Sequence, residues 1–324
     1  MIRSVIVVFV AILLPFVLFG CRKKEGASLE THNQPTIIIE NGVSKDDLDD
    51  VEVEPEETIA TEDAKDEEVN TENEPEILVF RDVFGQEYQT EINQQIPSNP
   101  YSANSFKHDG DKLVYDDDNY KYVLGVDVSH HQNSIDWKSV REEGYDFTFL
   151  RIAYRGYGKA GSLNPDRTFE QNYKSAKSNG LSVGVYFFAQ AINEKEAEEE
   201  AEYVLNILNG RELELPVVYD PESILDDEAR TDNVTSEQFT KNTRVFCDII
   251  REAGYKPMIY SNMLWEAFQL DLTKLSDIPI WYADYEDVPQ TPYNFEFWQY
   301  SNEGHVKGIS GVTDLNIWLK PNEE

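Results

Sequence analysis

Leu215 to Glu222, LPVVYDPE, is a short apolar run with β-branched Val217 and Val218 that ends in two carboxylates spaced i and i+2. Residues two apart on a strand point to the same face, so Asp220 and Glu222 are expected to project into one site. Two carboxylates held together do not ionise independently, and the charge on one raises the pKa of the other. Such a pair supplies an acid and a base near neutral pH, as hydrolysis of a glycosidic bond requires. Asp-x-Glu also occurs on solvated loops, so the flanking chain must carry the reading.

Outward from this stretch, strand and helix signals alternate. VLGVDVS (123–129), FTFLRIAY (147–154) and SVGVYFFAQA (182–191) read as strands before it. KPMIYSN (256–262), IPIWYADY (278–285), FEFWQYS (295–301) and VTDLNIWL (312–319) read as strands after it. Helical segments separate the early strands; Asn193 with Glu196 and Thr235 with Gln238 read as capping boxes, and Gly144, Gly180 and Gly254 as helix stops. Strands alternating with helices imply parallel pairing and right-handed crossovers. About eight strands over about 200 residues suit an α/β barrel of the TIM-like kind better than an open sheet.

Active sites of such barrels gather at the carboxyl ends of the strands, and polar residues collect there. Asp127 ends the first strand, Arg151 and Tyr154 the second, Gln190 the third, Asp220 and Glu222 the fourth. Tyr260 and Ser261 end the fifth, Tyr282 and Asp284 the sixth, Gln299 and Tyr300 the seventh, and Asp314 lies on the last. With Tyr186, Tyr219, Trp281, Tyr285 and Trp298 nearby, they describe an acidic cleft with aromatic walls, suited to stacking on sugar rings; core packing is the expectation for half of these aromatics.

The remaining chain divides by composition. Residues 1–20 read as a signal peptide, with Arg3 before an apolar run from Val5 to Phe19 that is short for a membrane span. LFGC resembles a bacterial lipobox, which makes Cys21 the expected site of lipidation and the membrane one expected partner. Residues 21–76 read as an acidic tether: from Lys45 to Glu76 sixteen acidic residues face two basic ones, with too little apolar surface to offset backbone entropy. The whole chain carries −34; without the tether's −14 and the +1 of residues 1–44, residues 77–324 carry −21. That charge disfavours nucleic acid and anionic lipid head groups as partners. Residues 77–120 read as a small extension of short strands and turns packed on the barrel at 121–324. Cys247 is expected to be a buried helix residue beside Phe239, Phe246 and Ile250.

VLGVDVSHHQNSIDW, VYDPE, and WQYS followed by GVTDLN resemble the signature segments of family 25 glycoside hydrolases, the N-acetylmuramidases. The resemblance spans about residues 121–320. It implies an irregular TIM-like barrel of five β/α units followed by three further strands. It also implies cleavage of the β-1,4 bond between N-acetylmuramic acid and N-acetylglucosamine, with peptidoglycan strands as substrate, no cofactor or metal, and action as a monomer. By position, Glu222 matches the general acid, Asp220 the carboxylate two residues before it, and Asp127 and Asp314 the supporting acidic residues. Tyr186, Tyr219, Tyr260, Trp281, Tyr282, Gln299, Tyr300 and Arg151 are the expected substrate-binding side chains. Pro221 removes a backbone donor between the paired carboxylates and leaves their relative orientation open. A metal-dependent hydrolase built on His130 and His131 is disfavoured, since the other histidines form no ligand pair. A glycan-binding lipoprotein without activity is the remaining alternative.

Overall fold

The computed structural model describes residues 75–225 and 227–322. The expected signal segment, Cys21 and nearly all of the acidic tether lie outside the described residues.

Two antiparallel hairpins come first. They are β1 (Ile77–Arg81) with β2 (Glu87–Glu91), and β3 (Phe106–Asp109) with β4 (Lys112–Tyr115). A β/α succession follows: β5 (Tyr120–Val128), α1 (Trp137–Glu142), β6 (Phe147–Arg155), the short β7 (Leu163–Pro165), α2 (Phe169–Ser178) and β8 (Ser182–Ala189). Then come α3 (Glu194–Leu208), β9 (Val217–Pro221), α4 (Ser236–Glu252) and β10 (Pro257–Asn262), and finally β11 (Ile280–Ala283), β12 (Phe297–Gly304) and β13 (Thr313–Pro321) without an α-helix between them. Strands β5, β6, β8, β9, β10, β11, β12 and β13 pair in a ring that the β5–β6 ladder closes, an eight-stranded barrel.

Local chemistry explains the helix ends. Asn193 caps α3 by accepting the Glu196 N–H, and the helix closes at Asn209 in the left-handed region (φ 45°). Thr235 caps α4 by accepting the Gln238 N–H, but the Gln238 side chain donates to Asn242 instead of returning to the cap, so only half of that capping box forms. Cys247 is buried on α4 with Phe246 and Ile250.

The barrel ladders that join β5, β6, β8, β9, β10, β11 and β12 are parallel, the short β7 pairs antiparallel with β6 outside the ring, and β13 runs antiparallel to both β12 and β5. Uniformly parallel pairing, the expectation from alternation alone, therefore fails at the last strand, where a loop too short for a crossover returns the chain. Lacking crossover helices there, the outer faces of β11 and β12 are covered by residues 77–120. The Phe106 ring meets Trp298 edge-on at 5.1 Å, Tyr101 packs on Phe295 and donates its hydroxyl to the Phe295 carbonyl (2.7 Å), and Tyr300 donates to the Asp111 carbonyl (3.2 Å).

Strand alternation sorts the barrel into two layers. Phe147, Phe149, Val218, Met258, Trp281 and Phe297 fill the interior with apolar side chains. Gly125 and Gly184 face the rings of Phe147 and Phe149, where a Cβ would overlap them. Two residues further along the same strand faces stand Asp127, Arg151, Tyr186, Asp220, Tyr260 and Gln299, so the interior changes from apolar to polar at the carboxyl ends.

Candidate active site

Asp127 is held by two amides. Gln299 donates Nε2–H to its Oδ1 at 2.8 Å, and Asn316 donates Nδ2–H to the same oxygen at 2.9 Å. The Asn316 oxygen accepts from Trp281 Nε1 (2.8 Å), and the Gln299 oxygen accepts the hydroxyls of Tyr260 and Tyr285, each at 2.9 Å. An indole N–H can only donate, which fixes the orientation of Asn316 and turns its NH₂ group toward Asp127. Burial raises the Asp127 pKa to about 6, and the two amide donors oppose that rise by favouring the carboxylate.

Asp220 and Glu222 come from the end of β9, with Pro221 paired to Ala189 of β8. Their carboxyl groups are close enough to shift each other's ionisation. Burial, and then the Glu222 charge, push Asp220 well above the usual carboxylate range; burial also raises Glu222, against the opposing effect of the hydrogen bond from Asp220. The ionisations of the two are therefore linked. The Asp220 Oδ1 is buried and has no hydrogen-bond partner among the described residues. Asp314 lies opposite Asp127 in the β5–β13 register, and burial, followed by the charges of Asp127 and Glu222, raises it to about 9.

Arg151 supplies the opposing charge, which lowers the pKa of both Asp220 and Glu222. Its Nε donates to Asp166 Oδ2 (3.0 Å), and Nη2 meets His130 Nδ1. The same His130 Nδ1 lies 3.3 Å from Asp166 Oδ2. Asp166 has no exposed side-chain surface; it also accepts the Thr168 hydroxyl (2.7 Å) and the His130 N–H (3.0 Å). Its pKa is lowered because these hydrogen bonds and Arg151 outweigh burial. His130 is thereby committed to a carboxylate and a guanidinium.

Glu222, Asp220, Asp127, Asp314, Arg151, Tyr186, Tyr260 and Gln299 come together at the carboxyl end of the barrel. Four other expected residues do not line the cleft. Tyr219 faces outward and packs on Phe246 of α4, Tyr282 faces outward and donates to Asp284, and Tyr300 points to the β3–β4 hairpin. The cause is strand period: when Asp220, Trp281 and Gln299 face inward, their neighbours Tyr219, Tyr282 and Tyr300 must face outward. Trp281 does point inward, but it is 1% exposed, stacked on Phe149 at 4.5 Å, and forms the floor beneath the site. Asp284 also leaves the rim, accepting the N–H groups of Glu286 and Gln290 in the following loop. Asn316 and Asp166 were missed; Asn316 shares the inward parity of Asp314, a signal present in the sequence, while Asp166 lies in a loop with no such signal.

Comparison with known proteins follows the same geometry. The family model for glycosyl hydrolases family 25 matches residues 126–309, more than half of the chain. The chain belongs to glycosyl hydrolases family 25. The matched span includes Asp127, Asp220 and Glu222 and ends before Asp314. It is 28% identical over 195 residues to an autolytic lysozyme of Clostridium acetobutylicum, covering 60% of this chain and 55% of that relative. It is also 28% identical over 203 residues to lysozyme M1 of Streptomyces globisporus, covering 60% of this chain and 67% of that protein. The crystal structure of a bacterial lysozyme from Streptomyces coelicolor superposes with a TM-score of 0.50 at 27% identity, over 62% of this chain and 93% of the other. This family 25 chain therefore shares the barrel with its relatives but spans only about half the length of the clostridial one.

Proposed function

We propose that this protein cleaves the β-1,4 bond between N-acetylmuramic acid and N-acetylglucosamine in peptidoglycan, with Glu222 as general acid. The observation that carries this reading is the Asp220–Glu222 pair at the end of β9, gathered with Asp127, Asp314 and Arg151 at the carboxyl end of the barrel. Glu222 protonates the leaving oxygen, and burial raises its pKa, which favours the protonated form that this step needs. The adjacency of the two carboxylates at one strand end favours a route in which the 2-acetamido oxygen of the substrate attacks the anomeric carbon and Asp220, with its unpartnered Oδ1, orients the acetamido N–H. Tyr186, Tyr260 and Tyr285 offer ring faces and hydroxyls to the sugars. We place the enzyme outside the cytoplasm, held at a membrane by lipid on Cys21, on the strength of the LFGC segment.

The test is mass analysis of fragments released from purified peptidoglycan by wild type and Glu222→Gln. Muramic acid at the reducing ends, formed by wild type and absent with the variant, is the expected result. Equal release by both proteins overturns the role of Glu222, and release by neither identifies a glycan-binding protein.

A further inference from the structure

Gln190, the residue after β8, is 1% exposed and uses every polar atom it has. Its main-chain N–H donates to Glu200 Oε1 (3.2 Å), and its carbonyl accepts from Arg230 Nη1 (3.3 Å). Its side-chain oxygen accepts the Thr231 hydroxyl (2.9 Å), which turns the NH₂ group toward β9, where Nε2 donates to the carbonyl of Glu222 at 2.8 Å. The oxygen must be the acceptor for Thr231 because the NH₂ group is engaged with a carbonyl, so the orientation of the amide is determined on both sides.

This contact falls where the β8–β9 ladder ends. Pro221 has no N–H to donate, and Glu222 lies just past the last residue of β9. Beyond it, residues 223–225 and 227–230 are exposed or half-buried and lie outside any helix or strand. The Gln190 carboxamide adds one bond to the β8–β9 side of the sheet beyond its last register pair, Ala189 with Pro221. Behind it stands a buried framework: Arg155 Nε grips Glu200 (2.7 Å), Arg155 Nη1 holds the Gly161 carbonyl (2.8 Å), and Arg230 reaches Glu196 (2.7 Å) and, through its main-chain N–H, the Tyr157 carbonyl (2.9 Å).

We propose that Gln190 is a positioning residue for hydrolysis: its carboxamide, aimed by Thr231, fixes the main chain of Glu222 and so the contact between the Glu222 and Asp220 carboxyl groups. This inference rests on the assignment of Glu222 as the acid. Gln190 touches no substrate atom. Its effect is to hold the acid at the geometry that catalysis needs.

The test compares wild type, Gln190→Met, Thr231→Val and Glu222→Gln. Methionine preserves length and volume and removes the donor. On soluble glycan strands, Gln190→Met is expected to lower kcat about 100-fold, the cost of a displaced catalytic group, with KM nearly unchanged. Thr231→Val, a milder change at the other end of the amide, is expected to lower kcat about tenfold and serves if the first variant does not fold. Carboxyl ¹³C NMR titration of the Asp220–Glu222 pair is read in parallel, and the pair is expected to titrate differently in Gln190→Met. Wild-type kcat in both variants, or an unmoved titration of the pair, overturns the proposal. If Glu222→Gln is as active as wild type, the assignment of the acid fails instead, and the titration still reports whether Gln190 positions the pair.

Discussion

Asp127 and Asp314 are register partners across the antiparallel β5–β13 ladder, side by side in the barrel rim. Their placement beside Asp220 and Glu222 sets a folding cost that varies with pH. Burial, with the charges of Asp127 and Glu222, holds Asp314 at about 9, and burial holds Asp127 at about 6, above the ordinary Asp value of about 3.9 in an unfolded chain. The folded state thus binds more protons than the unfolded state between those limits, so stability is greatest below about pH 4 as far as these groups are concerned and falls as pH rises through their folded values. The melting temperature is expected to fall by several degrees between about pH 5 and about pH 8.5. Asp314→Asn should flatten that slope and melt higher than wild type at the alkaline end; a slope as steep as wild type would place the linked protons elsewhere.

The linked ionisation of Asp220 and Glu222 predicts a second pH effect. In Asp220→Asn the member of the pair raised furthest is gone, and an amide N–H can still donate to Glu222, the interaction that lowers its pKa. Glu222 then loses its proton at lower pH, so the alkaline limb of the kcat profile should move to lower pH as kcat falls by about 100-fold or more. A limb that stays in place would assign the alkaline ionisation to another group.

Much of this arrangement was legible in the sequence, and the part that was not has a physical reason. The strand order, the closing pair of carboxylates and the cap at Asn193 follow from apolar runs, period and local hydrogen-bond chemistry. The antiparallel last strand depends on connection length, and the covering role of residues 77–120 depends on which barrel faces lack helices; neither is a local property. The errors among the aromatics were avoidable. Tyr219 beside Asp220, and Tyr300 beside Gln299, cannot share a strand face with their neighbours, whereas the aromatic count drew attention to both members of each pair.

The hairpin extension should behave as part of the barrel's core. Phe106 is buried against Trp298 and Tyr115, whose rings lie at 5.1 and 4.6 Å. Phe106→Ala is expected to cost about 3–5 kcal/mol of stability, as for a core aromatic, measured by denaturant unfolding. If it unfolds together with the barrel, a single transition will shift without a change in slope. Loss of an early, separate transition with the barrel midpoint unchanged would show instead that the extension is an independent appendage.

Trp281 acts through its single polar atom as well as its volume. Its Nε1–H is the donor that sets Asn316, and Asn316 in turn presents its NH₂ group to Asp127. In Trp281→Phe the ring stack on Phe149 can persist, but the Asn316 oxygen loses its partner in a buried site, at a cost of about 1–3 kcal/mol. A freed Asn316 can also rotate and bring its oxygen against the Asp127 carboxylate, raising the Asp127 pKa because a stabilising donor becomes a repelling dipole. The acidic limb of the kcat profile should then move to higher pH, since Asp127 needs more alkaline conditions to ionise. Loss of stability with an unmoved acidic limb would reduce Trp281 to a packing residue, and a shifted limb in Asn316→Ala as well would confirm that the effect passes through the amide.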